Sequence, residues 1–185
     1  MSSARLFVAL ELPAAARTAL ARWGREACAA DPALRAVREE ALHVTVHFLG
    51  ERPEGDIAAL SSVIAQAPGT AIPLASAGAL WLSPRRPHVL TLRLKDTNGA
   101  LDVLHRALGP ALEAATPGWS RETRPLRPHV TVARVRRGAR PRGEALPEPP
   151  ELSCAATGVV LLRSRLSPAG AVYEPLERLS LHRGA

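Results

Sequence analysis

The chain has 185 residues, 46% of them hydrophobic, and its 24 Lys plus Arg against 17 Asp plus Glu give a net charge of +7. That is enough chain for a hydrophobic core in one domain or two small lobes, and its apolar content excludes a disordered polymer. No stretch approaches the roughly 18 consecutive apolar residues of a membrane span. Cys28 and Cys154 are too few for a disulfide framework or a four-cysteine zinc site, so a reduced, cytoplasmic protein is expected. Leu6–Leu10 and the Ala-rich Pro13–Ala16 are too short an apolar run for a signal peptide, and Glu11 interrupts them, so a mature N-terminus is expected.

Arg5–Leu10 reads as a first strand, stopped before Pro13. Ala14–Ala30 carries Leu20 and Trp23 at helical spacing and is closed by Asp31-Pro32. Leu42–Leu49 alternates and is rich in β-branched residues, which predicts a strand ending at Gly50. Asp56–Gln66 predicts a helix through Ile57, Leu60 and Ile64, ended by Pro68-Gly69. Ile72–Trp81 and Val89–Lys95 predict two strands joined by a turn over Ser83–Pro87. Asn98-Gly99 opens a helix whose apolar face is Leu101, Leu104, Leu108 and Leu112.

Residues 115–128 read as a loop, His129–Val135 as a strand, and Arg136–Pro150, whose four prolines and two glycines disfavour a helix, as a basic surface loop. Leu152–Leu162 and Ala171–Leu181 predict two last strands, linked through Ser167–Gly170. Strand, helix, strand, helix recurs in both halves. The class is α+β.

The charge is segregated. Between Arg121 and Arg142 eight arginines face the single Glu122, a local +7 equal to that of the whole chain. Guanidinium forks suit phosphate oxygens, so the cluster points to a polyanion partner. A solvated, arginine-rich surface is the plain alternative.

The cluster brackets the second copy of a repeated tetrapeptide. His43-Val44-Thr45-Val46 and His129-Val130-Thr131-Val132 are identical and 86 positions apart. On a strand, His and Thr share one face with Cβ atoms roughly 6.5–7 Å apart, and the two Val residues face the core. If the halves pack about a pseudo-twofold axis, two His and two Thr converge in one cleft. One imidazole can then take a proton while the other gives one, an effect typically worth about 10²–10⁴ in rate. The Thr hydroxyls are neutral donors suited to phosphate oxygens, so the set can cleave a phosphodiester without metal. A zinc site of His43, His47 and His129 is the chemical rival. His43 and His47 would share a strand face about 13 Å apart, too far to hold one ion. On that spacing His47 is expected as a cleft-wall or surface residue, and His88, His105 and His182 show no partner pattern.

At these residues the chain resembles the 2H phosphoesterase superfamily and, within it, the RNA 2',3'-cyclic phosphodiesterases historically called 2'-5' RNA ligases. The similarity runs from RLFVA at Arg5 through LHVTVHFLGE at Leu42 and RPLRPHVTVAR at Arg124 to the stretch between Ser164 and Tyr173. It implies one domain over 1–185 made of two lobes, each giving one His-x-Thr motif, with antiparallel sheets lining a central cleft and helices outside. It implies hydrolysis of RNA 2',3'-cyclic phosphate ends to 2'-phosphates, with 2'-5' ligation as the reverse reaction. His43 would be the general acid and His129 the general base. Thr45, Thr131 and Arg134 would hold the phosphate, although strict alternation turns Arg134 away from His129 unless a bulge redirects it.

Arg127, Arg136, Arg137 and Arg140 would bind RNA; no metal, cofactor or membrane is called for, and a monomer is expected. Val46 and Val132 replace the Leu usual in relatives, and Arg136–Pro150 is shorter and less helical than in them. Two rivals remain: a phosphodiesterase for a small cyclic nucleotide or ADP-ribose cyclic phosphate, and a non-catalytic nucleotide-binding module.

Overall fold

The apolar run near the N-terminus forms the middle of β1 (Ser3–Glu11), whose even-numbered residues Ala4, Leu6, Val8 and Leu10 enter the core. The computed structural model describes residues 2–83, 86–142, 146–167 and 170–182. After β1 come α1 (Ala14–Ala30), β2 (Leu34–Ala36), β3 (His43–Pro53), α2 (Ile57–Ala65), β4 (Ile72–Leu82) and β5 (Val89–Asp96). Then follow α3 (Ala100–Ala115), β6 (His129–Val135), β7 (Ser153–Ala156), β8 (Gly158–Ser167) and β9 (Gly170–Ser180). The helices stand where apolar periodicity puts them, and α3 buries Leu101, Leu104, Leu108 and Leu112 as expected. The connections expected at Ser83–Pro87 and Ser167–Gly170 fall partly outside the described residues.

The strands form one antiparallel sheet in the order β7-β4-β5-β6-β3-β1-β8-β9, with β2 added beside β6. The two halves of that order mirror each other about the β6–β3 junction, where the strands carrying the repeated tetrapeptide meet. The expectation of one strand over Leu152–Leu162 is corrected: Thr157 divides it into β7, paired with β4, and β8, paired with β1. The sheet therefore curls, because strands near its opposite ends are joined by a single residue. Thr157 holds this corner by donating its backbone N–H to the Glu11 carbonyl at 2.9 Å.

The motif strands are bulged at matching places. Along β1 the register jumps from Val8↔His47 to Ala9↔Thr45, which leaves Val46 as an extra residue in β3. Along β5 it jumps from Leu90↔Ala133 to Thr91↔Thr131, which leaves Val132 as the extra residue in β6. A glycine of a helix lies against each bulge. A Cβ on Gly24 of α1 would stand 2.8 Å from the Val132 carbonyl oxygen, and one on Gly109 of α3 would stand 3.6 Å from the His47 ring. At Gly24 only a residue without a side chain lets the helix come so close, whereas the approach at Gly109 is an ordinary contact distance from the His47 ring. The Val132 carbonyl also accepts the Val37 N–H at 2.8 Å, so the bulge is held from two sides.

Candidate active site

Val44 and Val130 are direct partners across β3 and β6, and both are fully buried on the helix side. Antiparallel pairing then sets His43 opposite Thr131 and Thr45 opposite His129 on the other, concave face. Side chains directly opposite each other have Cβ atoms about 5 Å apart. The four groups therefore form a small rectangle with the two imidazoles on one diagonal and the two hydroxyls on the other. All four are half-buried, between the dry core and the open face.

Both rings are anchored alike. The Nδ1 of His43 bonds the Ala41 carbonyl at 2.8 Å, and the Nδ1 of His129 bonds the Arg127 carbonyl at 2.8 Å. A carbonyl only accepts, so Nδ1 carries the proton and Nε2 is left to face the cleft. His43 is further walled by Phe7 and Tyr173, whose ring centres lie 5.0 and 5.1 Å from its own. Burial in this aromatic corner pushes the His43 pKa down to about 4, with the positive charges of Arg134 and His129 acting in the same direction.

The bulges decide what else reaches the concave face. Because Val132 and Ala133 both enter the core, Arg134 emerges beside the site, on the same side as His129 and Thr131. Strict alternation would have turned it away. The same device in β3 overturns the expectation for His47. Val46 and His47 both turn inward, so His47 is buried on the opposite face from His43 and is no cleft wall. Its ring stacks on His105 at 4.3 Å, and its Nε2 bonds the His105 carbonyl of α3 at 3.0 Å. His105 thus does have a partner, one invisible in the spacing of the chain. His43 and His129 are left on the concave face without His47.

The remaining arginines spread outward. Arg127 is exposed at the entry to β6, and Arg137 and Arg140 are exposed beyond its end. Arg136 has a bound Nε, which donates to the carbonyls of Pro32 and Leu34 at 3.2 and 3.1 Å and ties β2 to β6. Two further residues escaped the sequence reading. Phe48, five residues after His43 as Arg134 is after His129, is 52% exposed at the far end of the rectangle. Arg5 lies over its ring at 4.8 Å. The only signal for Phe48 was its matching position in the repeat.

The profile of the 2'-5' RNA ligase superfamily matches residues 10–167. The chain is 33% identical over 183 residues to the RNA 2',3'-cyclic phosphodiesterase of Escherichia coli (strain K12), with 96% of each chain covered. It is 31% identical over 172 residues to the RNA 2',3'-cyclic phosphodiesterase of Geobacillus stearothermophilus, where 90% of this chain spans 54% of the relative. Its fold matches the crystal structure of E. coli LigT complexed with 3'-AMP at a TM-score of 0.78 and 27% identity, covering 98% of this chain and 100% of that one. With sequence and fold agreeing over nearly its whole length, the chain belongs to the 2'-5' RNA ligase superfamily.

Proposed function

We propose that this protein is an RNA 2',3'-cyclic phosphodiesterase that opens the terminal cyclic phosphate of RNA to a 2'-phosphate. The observation that carries the reading is the diagonal pair of Nδ1-anchored imidazoles flanked by two hydroxyls. The names of the relatives support the same activity. In this reading residues 1–185 act as one 2H phosphoesterase domain of two lobes, working as a monomer in the cytoplasm. No helix among the described residues is long and apolar enough to cross a membrane.

His129 takes a proton from water as its oxygen attacks phosphorus. The P–O3' bond breaks, the P–O2' bond stays, and His43 hands its proton to the departing O3'. Thr45 and Thr131 donate to the non-bridging oxygens, an electrostatic role that strengthens as their charge grows. Arg134 adds a cation at the His43 end. Burial leaves His43 neutral in the free protein. The bound phosphate returns its proton, because an anion within a few Å favours imidazolium and also offsets the charge of Arg134. The same displacement with a 5'-hydroxyl attacking in place of water, its proton taken by His129 and O3' again leaving, gives a 2'-5' link.

The depressed pKa of His43 also favours a second reading with the two roles exchanged, His43 as base and His129 as acid. The test of the activity is product analysis of a 2',3'-cyclic-phosphate oligonucleotide incubated with the protein in EDTA. A terminal 2'-phosphate is expected. A 3'-phosphate, or activity that returns only with added zinc or magnesium, overturns the mechanism.

A further inference from the structure

The short strand β2 pairs with β6 just where β3 has diverged, and its middle residue, Arg35, is the direct cross-strand partner of Arg134. Its neighbours Leu34 and Ala36 lie opposite Val135 and Ala133, which pack toward the core, so Arg35 and Arg134 share the concave face. Both are exposed. Among the described residues neither has a carboxylate within ion-pair distance. Like charges set directly opposite each other repel, and a strand pair gains nothing from them in the empty protein. Two guanidinium forks held side by side are, however, a ready seat for a phosphate diester.

Their position says which phosphate. β6 runs antiparallel to β3, so it passes from His129 to Thr131, opposite His43, and on to Arg134. The arginine pair therefore lies beyond His43, about 7 Å along the strand from Thr131, because the bulge at Val132 fits that stretch against only two steps of β5. If His43 protonates O3', the ribose of the terminal nucleotide lies on its side of the rectangle, and the 5' end of that ribose continues outward. We propose that Arg35, paired with Arg134, takes the phosphodiester on the 5' side of the terminal nucleotide. It is thereby the residue that makes the enzyme prefer a polynucleotide end to a lone cyclic nucleotide. Arg136 positions it, because its Nε bonds to the Pro32 and Leu34 carbonyls hold β2 in place. The inference rests on the phosphodiesterase reading with His43 as the acid.

The experiment compares three substrates: a nucleoside 2',3'-cyclic phosphate, the same compound with a 5'-phosphate, and a dinucleotide ending in the cyclic phosphate. For the wild type, kcat/KM should be higher for the second and third than for the first. Arg35→Gln should cut that preference about tenfold, through KM rather than kcat, because binding lost equally in ground and transition states raises KM. Arg35→Lys should restore part of it. The melting temperature of Arg35→Gln should equal or exceed that of the wild type, since a like-charge neighbour is removed.

An unchanged preference in Arg35→Gln overturns the proposal and makes Arg35 a solvated charge. A KM rise of the same size for all three substrates, or a lowered melting temperature, also overturns it in favour of a structural role. A wild type inactive on all three substrates overturns the phosphodiesterase reading itself, a result separate from any effect of Arg35.

Discussion

Val44 lies directly opposite Val130, both without exposed surface, and this pairing across β3 and β6 makes one site of two tetrapeptides 86 residues apart. The valines fill the core side and thereby force each histidine to stand beside the other motif's threonine. Neither half can make the rectangle alone.

His43→Ala and His129→Ala should each lower kcat on a cyclic phosphate end by about 10² or more, the usual worth of a placed acid or base. A phosphodiester with a p-nitrophenolate leaving group needs no general acid. On it His43→Ala should regain most of its activity, and His129→Ala should not. Recovery in His129→Ala instead would establish the exchanged roles.

The profile of kcat/KM against pH should be bell-shaped, since one ring must carry a proton and the other must not. Its acid limb reports the free protein and should fall near pH 4, where His43 gains its proton. Replacing Tyr173 with alanine opens the aromatic corner to water. Desolvation is the main cause of the low value, so the acid limb should then move upward. An acid limb near pH 6.5 in the wild type would contradict the burial of His43.

His47 is buried and neutral in the fold, its pKa pushed down chiefly by burial to about 4. The unfolded chain binds that proton near pH 6.5, so it holds more protons than the fold between pH 6.5 and 4. Stability should therefore decline as pH falls through that window and level off below it. The share due to His47 is about 2 kcal/mol, to be read from denaturant melts at several pH values. His47→Gln, which can still donate to the His105 carbonyl, should flatten the decline. An equally steep decline in the variant would assign it to other groups.

Gly24→Ala should destabilise the protein although alanine is the better helix former. The helical gain is about 1 kcal/mol, and forcing a methyl against a packed neighbour costs about 1–3 kcal/mol. Here the neighbour is the backbone carbonyl of Val132 at 2.8 Å, already held by Val37, so it cannot yield as a flexible side chain would. A lower melting temperature together with a lower kcat/KM is expected, because the bulge that moves is the one that aims Arg134. A stabilised variant would mean that α1 rides off the strand without strain.

Arg137 and Arg140 follow Arg134 in the chain and are exposed, whereas Arg136 is engaged in holding β2. Neutralising Arg137 and Arg140 together, with Arg136 left intact, should raise KM for an oligonucleotide more than for a mononucleoside cyclic phosphate. It should also lower the salt dependence of KM for the longer substrate, as fewer counterions are released. Equal shifts for both substrates at low and moderate salt would show that these arginines form no RNA track.

The repeated tetrapeptide and the apolar spacings were enough to place the four polar residues of the site and most of the elements. A tetrapeptide that alternates puts His and Thr on one face and Val on the other whatever surrounds it, and both copies obey. The leucine spacing of α3 likewise settles which of its faces is buried. These are local periodicities, carried by the backbone geometry of a few consecutive residues. What lay outside their reach is everything after a bulge. Val46 and Val132 interrupt the alternation, and nothing in the four residues themselves announces it. The interruption is decided by register against β1 and β5 and, in β6, by the close seat of Gly24. Only the tertiary structure therefore turned Arg134 toward the site, sent His47 inward to stack on His105, broke the stretch 152–162 at Thr157, and set Arg35 beside Arg134. Each of these depends on a partner far away in the chain, and a period-two pattern carries no information about a partner.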